Sequence, residues 1–116
     1  MNKQACNLCR DDAPRLSIEE AERELQQLPE WALQQEGEVL KLHRVYRFKN
    51  FVRALDFTNR IGTFAESVGH HPDLLTAWGR LEVIWYTHKI GGLQQGDFIC
   101  AAETEKRYAG LTESEL

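Results

Sequence analysis

The most strongly periodic stretch of this sequence spans residues 50–73 and reads NFVRALDFTNRIGTFAESVGHHPD. Apolar side chains return at three- and four-residue steps and so form one stripe along an α-helix. The stripe consists of Phe51, Leu55, Thr58, Ile61, Ala65 and Val68. Asn50 can cap the start of this helix, and Gly69 stands where a left-handed terminator is expected. The segment therefore predicts a long helix with two adjacent histidines, His70 and His71, in the loop that follows it.

Alternating apolar and polar residues on both sides of this helix predict strands. Upstream, residues 31–36 and 39–48 can pair across a turn at Gly37, because glycine tolerates a positive φ. Downstream, residues 74–78 and 81–87 can pair around a glycine-arginine turn. In each return strand the alternate side chains define one apolar face. Two β-hairpins are therefore predicted, one before and one after the central helix.

Further helices are predicted at both ends of the chain. Ser17 stands three residues before Glu20, the arrangement of a capping box, and predicts a helix over residues 18–28. Apolar spacing predicts a last helix that has Asp97 in its first turn, where the helix dipole favours an anion, and that reaches Tyr108. The order helix, hairpin, helix, hairpin, helix predicts an α+β fold. We expect two layers, a four-stranded antiparallel sheet with three helices on one face.

Length and composition restrict the class of protein. With 116 residues the chain has room for one domain, and we expect a flexible arm over 1–15, a domain over 16–110 and a tail over 111–116. Eighteen acidic and fourteen basic residues give a net charge of −4, which argues against direct binding of nucleic acid. No apolar stretch is suited to a membrane span or a secretory signal, so we expect a cytoplasmic protein that does not bind a membrane.

The three cysteines do not predict a disulfide framework, because their number is odd and no secretory signal is recognised. Cys6 and Cys9 form a lone C-x-x-C motif, which is half of what a zinc site needs or a redox pair. No second cysteine or histidine pair follows at metal-site spacing, so we interpret these two as part of a mobile arm. Cys100 lies among apolar helix positions and is predicted to be a small core residue.

The residues best suited to chemistry begin at the end of the central helix. Glu66 and His70 are four residues apart, so they lie on one helical face and a carboxylate–imidazole pair is predicted. His71 precedes Pro72, which favours extended backbone, and its side chain is expected to point elsewhere. The doublet is thus predicted to divide into one histidine held by an acid and one that faces another direction.

Two more candidates follow in the sequence. His88 ends the last predicted strand, and a loop with two glycines leads from it to Asp97. If the hairpin carries this strand end back beside the central helix, three histidines and two carboxylates meet at one rim. Each residue alone is compatible with an ordinary surface or helix-start role, but the whole set favours a function.

Three kinds of chemistry are open to such a set. Three histidines can bind zinc, but adjacent histidines before a proline converge poorly on one point, so no metal site is predicted. Nucleophilic catalysis is not favoured either, because Ser67 lacks the strand-turn-helix context of a nucleophile elbow. General acid–base catalysis remains, since histidine titrates near neutral pH and carboxylates can orient it.

The spacing of these residues resembles that of the pterin-4a-carbinolamine dehydratases. The family pattern is an acid, three residues, His-His-Pro, five residues, an aromatic residue, nine residues, His, and eight or more residues to Asp. This sequence fills it with Glu66, His70, His71, Pro72, Trp78, His88 and Asp97. The segments THKIGGL and LSIEEAERELQQLPEW are also similar to the family. Two departures are Gln94, where a threonine or serine cap is usual, and Trp78, where tyrosine is common.

The resemblance implies a reaction and a set of roles. The reaction is the dehydration of 4a-hydroxytetrahydropterin to quinonoid dihydropterin, which recycles the pterin cofactor of aromatic amino acid hydroxylases. The implied catalytic residues are His70 and His88, which protonate the departing hydroxyl, and Glu66, which pairs with His70. The implied substrate-binding residues are His71, Pro72, Asp97, which orients His88 or contacts the ring, and Trp78, which walls the pocket. The pterin is the substrate, and no metal or organic cofactor is implied.

The resemblance also implies self-association as a homodimer or a homotetramer. One alternative to the recycling enzyme is a binding or dimerisation module of the same fold that acts on a protein partner. Another is an enzyme of molybdopterin metabolism. A third alternative is a zinc protein that uses the histidines as ligands. Activity without added metal would separate the enzyme from the zinc protein.

Overall fold

A computed structural model of the chain describes residues 13–116, so Cys6 and Cys9 lie outside the described residues. Within residues 13–116 the elements follow the predicted order of helix, hairpin, helix, hairpin and helix. The helices are α1 (Ile18–Leu25), α2 (Phe51–Val68) and α3 (Gln95–Ala109), and the strands are β1 (Ala32–Glu36), β2 (Val39–Arg47), β3 (Asp73–Ala77) and β4 (Arg80–Trp85). A short 3-10 turn, Glu113–Glu115, follows α3.

The four strands form one antiparallel sheet in the order β1-β2-β4-β3. Side chains alternate along each strand, so Leu81, Val83 and Trp85 of β4 share one face, and all three are fully buried. Leu75 of β3 is opposite Glu82 in the register and lies on the other face, where it is 52% exposed. The helices therefore cover one face of the sheet, which confirms the predicted α+β fold.

The local signals in the sequence form the contacts that they predict. The Ser17 hydroxyl accepts from the Glu20 amide at 3.1 Å, and Glu20 accepts from the Ser17 amide at 2.8 Å. The Asn50 side chain accepts from the Arg53 amide at 3.0 Å. Gly37 has a φ of 63°, as its turn requires.

The first helix is shorter than predicted, since it ends at Leu25. The amide of Gln26 bonds to the Arg23 carbonyl at 3.3 Å, and that of Leu28 bonds to the Leu25 carbonyl at 2.9 Å. Each bond spans three residues, so the chain winds into tight turns before Pro29. Leu28 nevertheless remains buried and contributes to the core.

A carboxylate on α3 joins this helix to the first hairpin. Glu105 accepts hydrogen bonds from Trp31 Nε1 at 3.0 Å, Arg44 Nε at 3.2 Å and the Tyr46 hydroxyl at 2.9 Å. Burial acts to raise the pKa of Glu105, but the bonds from Arg44 and Tyr46 outweigh it, and the pKa lies below its usual value. Burial, the charge of Glu105 and the bond to it raise the pKa of Tyr46 well above its usual value. This cluster holds α3 against the sheet.

The segments at both ends of the described chain pack on the same domain. Before α1, the Leu16 amide donates to the Leu93 carbonyl at 2.8 Å and so fixes the loop that leads to α3. After α3, the Leu116 carbonyl accepts from the Lys49 amide at 2.6 Å, and Glu115 forms an ion pair with Arg60 of α2. From residue 13 onward, none of the helices is long and apolar enough to cross a membrane.

Candidate active site

Three elements bring polar side chains together at one end of the sheet. Helix α2 ends at Gly69, whose φ of 66° places it in the left-handed region and turns the chain out of the helical path. The His70 amide still bonds to the Ala65 carbonyl at 3.2 Å, so the first histidine stays close to the helix end. Helix α3 begins beside this point and carries Asp97 in its first turn. The end of α2 and the start of α3 therefore lie side by side at this end of the sheet, which is called the rim below.

His70 and Asp97 form a buried pair at this rim. The His70 Nε2 atom lies 2.5 Å from Asp97 Oδ1, and the two residues are 2% and 0% exposed. The imidazole ring stacks on the indole of Trp85, with the ring centroids 5.5 Å apart and an interplanar angle of 19°. The carboxylate fixes one ring nitrogen and the indole fixes the ring plane, so the orientation of His70 is determined.

The second oxygen of Asp97 also has partners. Asp97 Oδ2 accepts from the Thr87 hydroxyl at 2.8 Å and from the Gln94 amide at 3.0 Å. The Gln94 side-chain amide in turn donates to the Thr87 hydroxyl at 3.0 Å. Both Thr87 and Gln94 are buried. The buried carboxylate is therefore held at both of its oxygens.

His71 forms the second carboxylate–imidazole pair, on the surface. Its Nε2 atom lies 2.8 Å from Glu66 Oε1. The side chains of His71 and Glu66 are 63% and 81% exposed, so solvent reaches both. Glu66 also borders an open groove of about 670 Å³ that Thr63 and Leu74 help to line, between α2 and the start of β3. This pair can meet a ligand without any movement of the fold.

The third histidine lies just after the last strand. His88 is exposed, and its Nδ1 atom lies 3.0 Å from the Tyr86 hydroxyl, with the two ring centroids 4.2 Å apart. Between them, Thr87 forms two backbone hydrogen bonds with Gly92, at 2.8 and 3.3 Å. Because Thr87 also contacts Asp97, the backbone that carries His88 is tied directly to the buried pair.

The predicted partner of Glu66 was wrong, and so was the first of the two roles predicted for Asp97, the orientation of His88. Glu66 pairs with His71 and not with His70, and Asp97 pairs with His70 and not with His88. The prediction assumed that helical geometry continues through His70. The left-handed conformation of Gly69 ends that geometry, so the four-residue relation to Glu66 is lost and His70 turns inward.

Trp78 is not brought to this rim, which corrects its predicted role as a pocket wall. It lies in the turn between β3 and β4 and is 73% exposed. The rim lies at the opposite end of this hairpin, where β3 starts at Asp73, and each strand residue adds about 3.3 Å. Pro72, by contrast, is half-buried and lies between His71 and the start of β3.

A family model described as "Pterin 4 alpha carbinolamine dehydratase" matches residues 14–107 of the chain. The chain belongs to this family. A Saccharophagus degradans relative is 50% identical over 108 residues, which cover 93% of this chain and 96% of the relative. A Nitrosococcus oceani relative is 48% identical over 101 residues, which cover 87% and 89%. Both are named "Putative pterin-4-alpha-carbinolamine dehydratase".

Two solved structures are similar to this member of the dehydratase family. One is a "transcriptional coactivator/pterin dehydratase from Brucella Melitensis", with a TM-score of 0.71 and 28% identity over 80% of this chain and 97% of that one. The other is a "pterin dehydratase-like protein" described as a "RuBisCO assembly factor in the alpha-carboxysome", with a TM-score of 0.57 and 16% identity over 71% and 92%. The second likeness concerns the fold alone.

The sequence reasoning missed three residues of this family member's rim, Tyr86, Thr87 and Gln94. A signal for Thr87 was present, because it continues the buried face of β4 after Trp85 and a buried hydroxyl needs a hydrogen-bond partner. Gln94 was noted only as an unusual helix cap. Among residues 13–116, no group of three or more histidine, cysteine or acidic side chains is placed to hold a metal ion.

Proposed function

We propose that this protein dehydrates 4a-hydroxytetrahydropterin to quinonoid dihydropterin by histidine general acid–base catalysis. Membership of the family supports the substrate class. The observation that carries the catalytic part is the buried His70–Asp97 pair, whose Nε2 to Oδ1 distance is 2.5 Å, next to the exposed pair of His71 and Glu66. An imidazole that a carboxylate orients is a suitable group for giving and taking a proton near neutral pH.

The chemistry needs one proton delivered and one removed. The bond between carbon 4a and its hydroxyl oxygen breaks, and the ring nitrogens supply the electrons that replace it. An imidazolium gives its proton to the departing oxygen, so that water leaves rather than hydroxide. A ring nitrogen of the pterin loses a proton, which restores the protonated histidine. The balance is the loss of one water molecule, and the proposal needs no metal or organic cofactor.

The geometry supports a distinct role for each histidine. The Nε2 atom of His70 is bonded to Asp97, so Nδ1 is the atom that would exchange a proton with the substrate. His88 is exposed beside the Tyr86 hydroxyl and would serve as the second acid. His71, which Glu66 orients at the surface, would bind the pterin, and Pro72 would keep its backbone extended. The biological role would be to recycle, in the cytoplasm, the pterin cofactor of aromatic amino acid hydroxylases.

The test measures the loss of 4a-hydroxytetrahydropterin with the purified protein and no added metal. We expect His70→Ala and His88→Ala each to lower kcat by about 100-fold, the lower part of the range for a general acid. The double variant should approach the uncatalysed rate. His43→Ala is the matched control, because His43 pairs with Glu82 at 2.7 Å on the sheet face opposite the helices.

Two results would contradict the proposal. A double variant that retains the wild-type rate would show that neither histidine is the acid. A wild-type protein that folds and yet does not accelerate the reaction would support the alternative function, a binding module of the same fold.

We propose in addition that the protein forms a homodimer or homotetramer through α2. Its first turns expose Phe51, Val52 and Leu55, at 43%, 56% and 39%, which together form an apolar surface. Analytical ultracentrifugation of Val52→Asp should show a smaller assembly than that of the wild type. Leu75→Asp, on the opposite sheet face, is the matched control. If only Leu75→Asp dissociates the assembly, the contact lies on the sheet instead.

A further inference from the structure

We infer that Thr87 and Gln94 are positioning residues that act on His70 through Asp97. They orient the Asp97 carboxylate, and that carboxylate keeps the proton of His70 on Nε2 and leaves Nδ1 as the atom that exchanges with a substrate. The consequence for catalysis rests on the proposed function. The effect on which nitrogen of His70 is protonated does not rest on the proposed function. The positioning role and the proposed function can therefore be tested separately.

The direction of each hydrogen bond follows from the chemistry of the groups. The Gln94 Nε2 atom can only donate, so the Thr87 hydroxyl is the acceptor in their 3.0 Å contact. A hydroxyl has one hydrogen, and that of Thr87 is directed to Asp97 Oδ2 at 2.8 Å. The backbone amide of Gln94 is a second donor to the same oxygen, at 3.0 Å. Both bonds fix Asp97 Oδ2 as an acceptor.

These contacts leave Asp97 Oδ1 to face His70. A carboxylate is an acceptor at both oxygens, so the 2.5 Å contact requires a hydrogen on His70 Nε2. A neutral imidazole with a hydrogen on Nε2 has its lone pair on Nδ1. The chain of hydrogen bonds from Gln94 through Thr87 to the accepting carboxylate of Asp97 therefore specifies which ring nitrogen of His70 is protonated.

Burial makes this arrangement difficult to replace. Thr87 and Gln94 are 2% and 3% exposed, and Asp97 is 0% exposed, so bulk water cannot readily supply a missing donor. Hydrogen bonds are also stronger in such surroundings than in water. Asp97 Oδ2 has two donors, the Thr87 hydroxyl and the Gln94 backbone amide. Without the Thr87 hydroxyl only the amide would remain, and the carboxylate could rotate away from His70 Nε2.

Gln94 occupies the cap position of α3, where serine, threonine or aspartate is usually preferred. Those shorter side chains satisfy the first turn of their own helix. The longer glutamine side chain also reaches the Thr87 hydroxyl, while its backbone amide binds Asp97. A residue that is unusual as a cap is thus explained by its contact with the strand end.

The experiment compares Thr87→Val, which keeps the shape and removes the hydroxyl, with Thr87→Ser, which restores the hydroxyl. Gln94→Met removes the side-chain amide and keeps the backbone donor. Thr58→Val is the matched control, because the Thr58 hydroxyl also makes two hydrogen bonds but contacts Ala54 and Thr76. Thermal unfolding of each variant identifies any that fail to fold. If Thr87→Val is one of these, Gln94→Met is compared with the wild type and with Thr87→Ser in its place.

The first readout is the ¹⁵N NMR spectrum of the imidazole of His70 in the protein without substrate. At a pH where the imidazole of His70 is neutral, the wild type and Thr87→Ser should show one tautomer with the hydrogen on Nε2. Thr87→Val should show a mixture of tautomers or faster exchange of that hydrogen, and Gln94→Met a smaller change. If Thr87→Val keeps the wild-type spectrum, the inference is wrong whatever the activity.

The second readout is steady-state kinetics. We expect Thr87→Val to lower kcat by about 10-fold, less than the factor of ~100 for loss of the acid itself, with little change in KM. Thr87→Ser should recover most of the rate, and Thr58→Val should match the wild type. A changed tautomer in a protein that lacks dehydratase activity would support the positioning role and contradict the proposed function. An equal loss in Thr58→Val would contradict the positioning role.

Discussion

Helix α3 carries two carboxylates that each collect several hydrogen-bond donors, and the two differ in the kind of donor. Asp97 binds the imidazole of His70, the hydroxyl of Thr87 and an amide. Glu105 binds the guanidinium of Arg44 and the side chains of Tyr46 and Trp31. A guanidinium keeps its charge at every ordinary pH, whereas an imidazole gains and loses a proton near neutrality.

This difference separates a structural cluster from one suited to catalysis. The Glu105 cluster has a permanently charged partner, and Arg44 also lies over the ring of Tyr46 at 4.2 Å, so its contacts persist and fix α3 against β2. The Asp97 cluster has a partner that can exchange a proton with a ligand. The comparison can be tested by replacing each carboxylate with the amide of the same shape.

The largest expected effect is that of Asp97→Asn. The new NH₂ group must face either His70 Nε2 or the donors on the other side, so two donors meet in a buried space. This should cost about 1–3 kcal/mol of unfolding free energy. The orientation of His70 would be lost, and kcat for pterin dehydration should fall by up to about 100-fold, the loss expected for removal of the acid itself. Urea denaturation and steady-state kinetics measure the two effects, and an active Asp97→Asn enzyme would contradict the assignment.

Glu105→Gln should affect stability and leave catalysis almost unchanged. The substitution removes the charge that Arg44 binds. Because Glu105 is partly exposed and solvent weakens the ion pair, we expect the unfolding free energy to fall by only about 1–2 kcal/mol. The pKa of Glu105 is lower in the folded state, so its contribution is present above the unfolded value of about 4.3 and is lost as the pH falls below it. Urea denaturation should therefore show that the difference from the wild type narrows below about pH 4.

The activity of Glu105→Gln at neutral pH is the control for this comparison. A rate close to that of the wild type would support a purely structural cluster. A loss of kcat as large as that of Asp97→Asn, in a folded protein, would remove the distinction between the two carboxylates.

Tyr46→Phe removes one hydrogen-bond donor to Glu105 and should lower the unfolding free energy by less than Glu105→Gln does. We expect the unfolding free energy to fall by about 1 kcal/mol. The pKa of Tyr46 is raised in the folded state, so its contribution is present below the unfolded value of about 10 and declines as the pH rises above it. Urea denaturation at pH 8 and at higher pH should show that the difference in unfolding free energy between the wild type and Tyr46→Phe becomes smaller as the pH rises. Tyr86→Phe, which removes the hydroxyl beside His88, is the control and should change stability little.

Local structure in this protein was predictable because its signals act over short distances in the chain. The Ser17–Glu20 box and the Asn50 cap each join residues three positions apart. The left-handed Gly69 was predicted for the same reason. Such contacts depend on the backbone conformation of one turn, which the sequence of that turn largely determines.

The partners within the site could not be predicted in this way, because they come from distant parts of the chain. His70 and Asp97 are joined only when α3 packs beside the end of α2, and the sequence favoured the nearer acid, Glu66. The Glu105 cluster was missed for the same reason, although Arg44 alternates with Leu42 and Tyr46 and so belongs to the apolar face of the predicted strand over residues 39–48. A charge at such a position needs a partner, which was the available signal.

The smallest effect is expected for Glu66→Gln, which makes the same change beside the neighbouring histidine. Its pair with His71 is exposed to solvent, and exposed pairs contribute little, so the unfolding free energy should change by less than about 0.5 kcal/mol. If His71 binds the pterin and does not transfer the proton, KM should rise a few-fold while kcat is nearly unchanged. Added salt should weaken the difference from the wild type, because exposed charges are screened. A fall in kcat as large as that of Asp97→Asn would instead place the proton transfer at His71.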